Sequence, residues 1–133
     1  MMQIETELAA VLKAHQDNPY CWGKWDCMTF VNDCIGAVSG VDHMAPFKAY
    51  DTQGGALRSL RGFGYQSVFG FFQANFDAVD VSHVVMGDLV FMANGANKLS
   101  APAVVFGDIA VSRTYDGWSH LRPRDFTVGF KVR

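Results

Sequence analysis

The chain has 133 residues, a formal net charge of −2, and a composition that is 50% hydrophobic and 14% aromatic. This length suits a single domain, and the apolar content excludes a disordered chain. The near-neutral charge argues against a nucleic-acid partner, and three cysteines in a chain of this size argue against a secreted disulfide scaffold. Glu5 and Glu7 interrupt the first apolar residues and no apolar run reaches ~18 residues, so we expect neither a signal peptide nor membrane insertion.

Helical patterns begin the chain. Apolar residues at helical spacing predict an amphipathic helix over residues 2–15. After an aromatic loop, Asp26 is a candidate N-cap and Cys27 is the first predicted residue of a second helix. Gly40 stands where the C-terminal cap of that helix is expected.

The middle of the chain predicts two shorter helices and is rich in phenylalanine. Thr52 can cap one helix that ends at Gly62, and residues 65–76 predict another. Residues 63–76 hold five phenylalanines: Phe63, Phe69, Phe71, Phe72 and Phe76. They form either an exposed surface for binding or assembly, or the filling between helices and sheet.

The pattern then changes to short apolar runs separated by turn signals. The runs cover residues 89–92, 102–106, 109–112, 118–121 and 127–132. Gly107-Asp108 and Asp116-Gly117 are hairpin signals that predict an antiparallel meander. The sequence therefore predicts one α+β domain over 1–133, with a helical part at about 2–76 and a sheet part at about 87–132.

Cys27 is the candidate nucleophile because of its place at a helix start. Unpaired N–H groups and the positive end of the helix dipole stabilise a thiolate, which predicts a lowered pKa and a reactive thiol. The same N–H groups can hold an oxyanion. The negative charge of Asp26 would oppose the thiolate. The alternative is that Cys27 is a small buried residue at a helix end.

The other two cysteines have structural interpretations. Cys21 lies in the preceding loop, and Cys34 is expected in the core on the same helix face as Cys27. The three spacings match neither zinc nor iron–sulfur patterns. We therefore predict no metal site and no cofactor.

Three segments resemble a known family. Residues 19–31 read PYCWGKWDCMTFV, residues 87–91 read GDLVF, and residues 104–108 read VVFGD. They resemble the catalytic motif and the following strands of NlpC-type cysteine peptidases, papain-like hydrolases that cut peptidoglycan stem peptides. Together with GALRSL at 55–60, the pattern is similar to a compact branch encoded in the tail modules of tailed phages.

The resemblance implies a papain-like fold, with N-terminal helices packed on a C-terminal antiparallel sheet or half-barrel. It implies Cys27 as nucleophile, and we expect Tyr20, Trp22, Trp25 and Asp26 to form the substrate pocket. The expected partners are other phage tail proteins of the hub or tip, and peptidoglycan. The expected location is the virion tail, or the host cytoplasm during assembly.

The chain departs from the family at the histidine base. The strand position for that histidine falls on Ala101, or on Pro102 with a shift of one residue, and the third polar residue falls near Ser112. A cysteine peptidase needs a base or cationic partner within hydrogen-bond reach. His120 and His83 are the candidate replacements.

The remaining histidines and the arginines have surface interpretations. His15 is expected to be solvated or to cap the first helix, and His43 to lie on the surface. The arginines, Arg113 among them, are dispersed in the sequence and are expected to be solvated.

Two hypotheses follow from this sequence. The first is a tail or tail-tip component with a degenerate peptidase site, serving in assembly or in engagement of the cell wall. The second is an active peptidase that cleaves stem peptides with a non-standard histidine. A thiol that reacts without turnover lies between them.

Overall fold

The structure is a computed structural model that describes residues 2–45, 50–93 and 102–132. Four helices occupy the first part of the chain. They are α1 (Met2–Gln16), α2 (Cys27–Ser39), α3 (Gln53–Gly62) and α4 (Val68–Asn75). The four predicted helices are therefore confirmed, with small differences at their ends.

Local capping explains where these helices start and stop. The Asp26 side chain accepts the Thr29 N–H, and the Thr29 hydroxyl oxygen accepts the Asp26 N–H. This reciprocal pair is a capping box, which starts α2 at Cys27. Gly40 ends α2 in the left-handed conformation that favours glycine, with φ of 78°. Thr52 caps α3 as predicted, while the cap of α4 is Ser67.

Within the described residues, six short strands form one antiparallel sheet. They are β1 (Asp77–Val79), β2 (Leu89–Phe91), β3 (Ala103–Phe106), β4 (Ile109–Thr114), β5 (Gly117–Leu121) and β6 (Val128–Lys131). The order across the sheet is β1-β6-β2-β3-β4-β5. The predicted meander holds for β2 to β5, but β6 inserts between β1 and β2, and β1 was not predicted.

The helices lie on one face of this sheet. On that face, Leu89, Val104, Val111 and Phe130 are buried in one core cluster with side chains of α1, α2 and α4. A smaller cluster around Val90, Val105 and Leu121 packs on the opposite face. The coarse prediction of helices packed on an antiparallel sheet is thus confirmed.

The phenylalanine-rich segment belongs mainly to the core. The members that pack there are Phe69, Phe71, Phe72 and Phe76. The ring of Phe69 lies 5.3 Å from that of Phe91 and 5.7 Å from that of Phe130. Phe63 is the exception, with 56% of its surface exposed. These side chains fill the space between helices and sheet, so the segment does not form the exposed aromatic surface considered above.

None of the helices in the described ranges has the length and apolar content needed to cross a membrane.

Candidate functional site

The loop before α2 is a tight hairpin that holds the residues around Cys27. Cys21 and Trp25 exchange backbone hydrogen bonds of 3.1 Å and 2.8 Å. Gly23 at its tip has φ of +85°, and a Cβ there would lie 1.9 Å from the carbonyl oxygen of Tyr50. Only glycine allows this approach, because any side chain would collide with backbone. The glycine of the motif therefore has a structural reason here.

Asp26 is the centre of the hydrogen bonding beneath the loop. It is 1% exposed. One carboxylate oxygen accepts the Thr29 N–H at 2.8 Å. The other accepts the Gly23 N–H at 2.8 Å and the Tyr50 hydroxyl at 2.7 Å. Three donors satisfy a buried carboxylate, so Asp26 ties the loop, α2 and the Tyr50 segment together.

Cys27 is held as a neutral thiol. The Tyr20 hydroxyl and Cys27 lie close enough for each to act on the pKa of the other. Burial, followed by the charge of Asp26, raises the pKa of the Cys27 thiol to about 11, although hydrogen bonds from Tyr20 and from backbone act the other way. The helix terminus was expected to lower the pKa of Cys27, but desolvation of the thiolate outweighs that effect.

A cleft of about 410 Å³ opens beside Cys27. The residues lining it are Tyr20, Trp22, Cys27, Gln53, Arg113, Thr114 and Tyr115. The ring of Tyr20 contacts those of Trp22, at 5.0 Å between centroids, and Tyr115, at 5.4 Å. The cleft thus has aromatic walls, a thiol and one arginine.

Two residues predicted for the substrate pocket, Trp25 and Asp26, do not line this cleft. Trp25 packs its ring against that of His15, with centroids 4.8 Å apart. Asp26 is buried under the loop. Tyr20 and Trp22, in contrast, line the cleft together with Cys27.

Arg113 is the buried cation of the site, so the expectation of a solvated Arg113 is wrong. It is 6% exposed. Its guanidinium donates to the carbonyl oxygens of His15 and Asn18, the latter at 3.0 Å. It also lies over the rings of Trp118, at 4.9 Å, and Tyr20, at 5.7 Å. Its Nε–H has no hydrogen-bond partner.

The sheet register explains why Arg113 reaches the cleft. Val104 of β3 pairs with Val111 of β4. Arg113 lies two residues after Val111 on β4 and therefore shares the face that the helices cover. Ser112 is one residue away and therefore points to the other face. Pro102, a candidate position for the missing base, is buried and lies just before β3, and Ala101 lies outside the described residues.

Histidine is absent from the described lining of the cleft. His83 is exposed in the short 3₁₀ turn Val81–His83, and His120 is exposed on β5, opposite Val111. His43 is half-buried, with its ring 4.8 Å from that of Phe76. The segments outside the description contain no histidine, so all four have been placed.

His15 is fully buried, so the expectation of a solvated or capping residue is wrong. Its Nε2 lies 2.8 Å from a carboxylate oxygen of Asp33 on α2. Its ring also contacts Trp25 and Phe30. His15 therefore joins α1 to α2, while its backbone carbonyl holds Arg113.

Arg113 is the site residue that the sequence analysis missed. A signal was present, because Ile109, Val111 and Arg113 alternate along β4 and so share one face. That face is buried at Val111. An arginine in register with buried apolar residues predicts a buried cation, whereas its dispersion in the sequence says nothing about burial.

Comparison with known families gives a classification without an activity. The model of a domain of unknown function, DUF6950, matches residues 1–132. The chain belongs to this family. No curated protein matches the sequence.

Proposed function

We propose that this DUF6950 domain is a papain-like, NlpC-type domain that binds at its cleft without hydrolysis, as a component of a phage tail or tail tip. The observation that carries the loss of hydrolysis is the lining of the cleft, where Cys27 faces no imidazole among the described residues. The resemblance in segments 19–31 and 87–91 supports the papain-like, NlpC-type fold. So does the chain order, in which a helix that begins with the cysteine precedes an antiparallel sheet.

The chemistry of the cleft supports binding over cleavage. A cysteine attacks an amide as a thiolate, which it forms by a lowered pKa or by giving its proton to a base. The pKa of Cys27 is raised to about 11, so the thiol keeps its proton at neutral pH. Arg113 cannot take that proton, because a guanidinium stays charged up to a pH above ~12. Among its described lining residues, the cleft has a cation and aromatic side chains but no imidazole that could accept the proton of the thiol.

Hydrolysis is tested with the purified chain, intact peptidoglycan and a soluble stem peptide. We expect no release of new amino groups above the rate without protein. The comparison variants are Cys27→Ala and Cys21→Ala, which remove a cleft thiol and an exposed loop thiol respectively. Turnover that Cys27→Ala abolishes and Cys21→Ala preserves would overturn the proposal.

The active-peptidase alternative makes a different prediction in the same assay. It needs His120 or His83 to approach Cys27 when substrate binds. Turnover that is lost in His120→Ala or His83→Ala, but kept in His43→Ala, would establish that alternative. We expect the three histidine variants to be indistinguishable, because none of these side chains lines the cleft.

The tail assignment is tested on particles. We expect mass spectrometry of purified tails to find this chain in a constant ratio to the other tail proteins. We also expect particles carrying Cys27→Ala to assemble normally, since the thiol performs no reaction in this proposal. Absence of the chain from purified tails would contradict the assignment.

A further inference from the structure

Arg113 is a buried cation whose charge no carboxylate balances within the described residues. No ion pair of the described chain includes it. Its hydrogen bonds go to two neutral backbone carbonyls, and its Nε–H has no partner. Taking a charge out of water is costly unless an opposite charge or further hydrogen bonds offset the loss. The guanidinium thus has unused capacity to interact with an anion.

The same guanidinium is rigidly placed in the wall of an open cleft. Two carbonyls at the end of α1 and the rings of Tyr20 and Trp118 restrict its orientation. Binding of a ligand there would cost little side-chain entropy, because the rotamer of Arg113 is already set. Planar guanidinium groups match planar carboxylates in shape and charge.

We infer that the cleft binds a ligand through a carboxylate group that pairs with Arg113, with an apolar portion of the ligand against Tyr20 and Trp22. This inference rests on the proposed function insofar as both place binding in the same cleft. It adds the chemical class of the ligand and the residue that selects it.

The charges around the cleft favour one carboxylate at the Arg113 end. Arg113 is the cation among the described lining residues, while Asp26 is a buried anion close to Cys27. A monoanion balances the single positive charge of Arg113, whereas a phosphate dianion would leave excess negative charge in the cleft. Repulsion from Asp26 places the carboxylate away from Cys27, which leaves the aromatic walls for the apolar portion.

The test compares phenylacetate with phenylacetamide, which have the same ring and length and differ in charge. Binding is followed by two-dimensional NMR at constant ionic strength, using the Trp22 indole N–H and the Cys27 amide. A ligand of this size binds with a Kd of about 1–10 mM. We expect phenylacetate to give saturable shifts and phenylacetamide to bind at least ~5-fold more weakly, since it lacks the charge that pairs with the guanidinium.

Variants assign the effect to the arginine. Arg113→Met should remove the preference for the acid, and Arg113→Lys should retain part of it, because an ammonium keeps the charge without the planar fork. Arg124→Met removes an exposed arginine and serves as the matched control. The spectra of the free variants report folding, and the comparison of acid with amide on the unaltered chain needs no variant.

Three results would overturn the inference. They are equal affinity for acid and amide, no saturable shift with phenylacetate at concentrations up to several times the expected Kd, and an unchanged preference in folded Arg113→Met. Tighter binding of inorganic phosphate than of phenylacetate would overturn the carboxylate assignment. If one of these results is found and no peptide is hydrolysed, the inference fails and the proposed function stands. If peptide is hydrolysed and the acid binds preferentially, the proposed function fails and the inference stands.

Discussion

The loop before α2 and the loop before β2 are built from the same parts. Each has a glycine with positive φ, Gly23 at +85° and Gly87 at +93°. Each is followed by an almost fully buried aspartate, Asp26 at 1% exposure and Asp88 at 2%. In both loops the carboxylate accepts backbone N–H groups and so fixes the chain before a regular element begins.

The two loops differ in what the aspartate touches besides backbone. Asp26 also accepts the Tyr50 hydroxyl, and its charge acts on Cys27 in the cleft. Asp88 joins the N–H groups of Val85 and Val132 and has no thiol beside it among the described contacts. The likeness of the two loops shows that glycine and aspartate in these motifs have a structural role. Chemistry at the first loop depends on neighbours that the motif does not contain.

Alanine at the loop glycines should give the largest effects. Gly23→Ala should lower the free energy of unfolding by at least ~3 kcal/mol. The alanine would have a strained positive φ, and its Cβ would collide with the Tyr50 backbone. Gly87→Ala should cost about 2 kcal/mol, since its Cβ lies 2.7 Å from a Val38 methyl group that can shift.

Gly107 provides the matched control for strain alone. Its φ is +72°, and a Cβ there would have nothing within 4 Å. We expect Gly107→Ala to cost about 1 kcal/mol. Urea unfolding of the three variants measures the series, and equal losses at Gly23 and Gly107 would show that the Tyr50 contact is unimportant.

Removing charge from the two aspartates should have the next largest effect. Asp26→Asn should destabilise the chain by about 3 kcal/mol and Asp88→Asn by about 2 kcal/mol. In each variant an amide nitrogen would face an N–H donor. The loss is larger at position 26 because Asp26 accepts from three donors and Asp88 from two. The measurement is the free energy of unfolding in urea at neutral pH. A larger loss at Asp88 would reverse the comparison.

Alkaline pH should destabilise the folded chain, and the Cys27 thiol should account for part of that loss. The folded thiol has a pKa of about 11, above its ordinary value of 9.0. Stability from the neutral thiol is therefore complete below pH ~9 and declines as the pH rises towards ~11, by up to ~1.4 kcal/mol per pH unit. The buried thiol of Cys34, whose pKa burial also raises, adds a loss in the same direction.

Variants separate the two thiols. Cys27→Ala should show a shallower alkaline decline in unfolding free energy than the unaltered chain, whereas Cys21→Ala and Asp88→Asn should keep the original slope. Parallel curves for Cys27→Ala and the unaltered chain would contradict the raised pKa.

The smallest effect is on thiol reactivity. Asp26→Asn should lower the pKa of Cys27 because a nearby negative charge is removed, and Asp88→Asn should leave it unchanged. The rate of alkylation by iodoacetamide as a function of pH measures this, with Cys27→Ala providing the background from the other thiols. An equal shift in both aspartate variants would show that the effect is not local.

Much of the local structure could be predicted because its causes are local. The capping pair of Asp26 and Thr29 and the left-handed Gly40 set the ends of α2, and Gly107-Asp108 sets the hairpin between β3 and β4. The start of α2 at Cys27 follows from the same signals. Strand β1 has three residues and an exposed surface, so no apolar pattern marks it, and its pairing with β6 supplies its stability.

The burial of polar side chains could not be predicted in the same way. His15 is buried because α2 and the loop before it supply Asp33 and Trp25, which lie 18 and 10 residues further along the chain. The phenylalanines near α4 are buried because Phe91 and Phe130 of the sheet pack against them. Dispersion or clustering along the sequence does not reveal such distant partners.

The sequence by itself determined the order of the elements, most of their ends, and the position of Cys27 at a helix start, because hydrogen bonds within a few residues decide these features. The tertiary structure decided the state of that thiol, because burial is the largest cause of its raised pKa. Burial and the charge of Asp26 outweigh the helix terminus and raise the pKa of Cys27. The fold also brings Arg113 from a strand 86 residues away into the same cleft, because desolvation and cross-strand register depend on parts of the chain that meet only after folding.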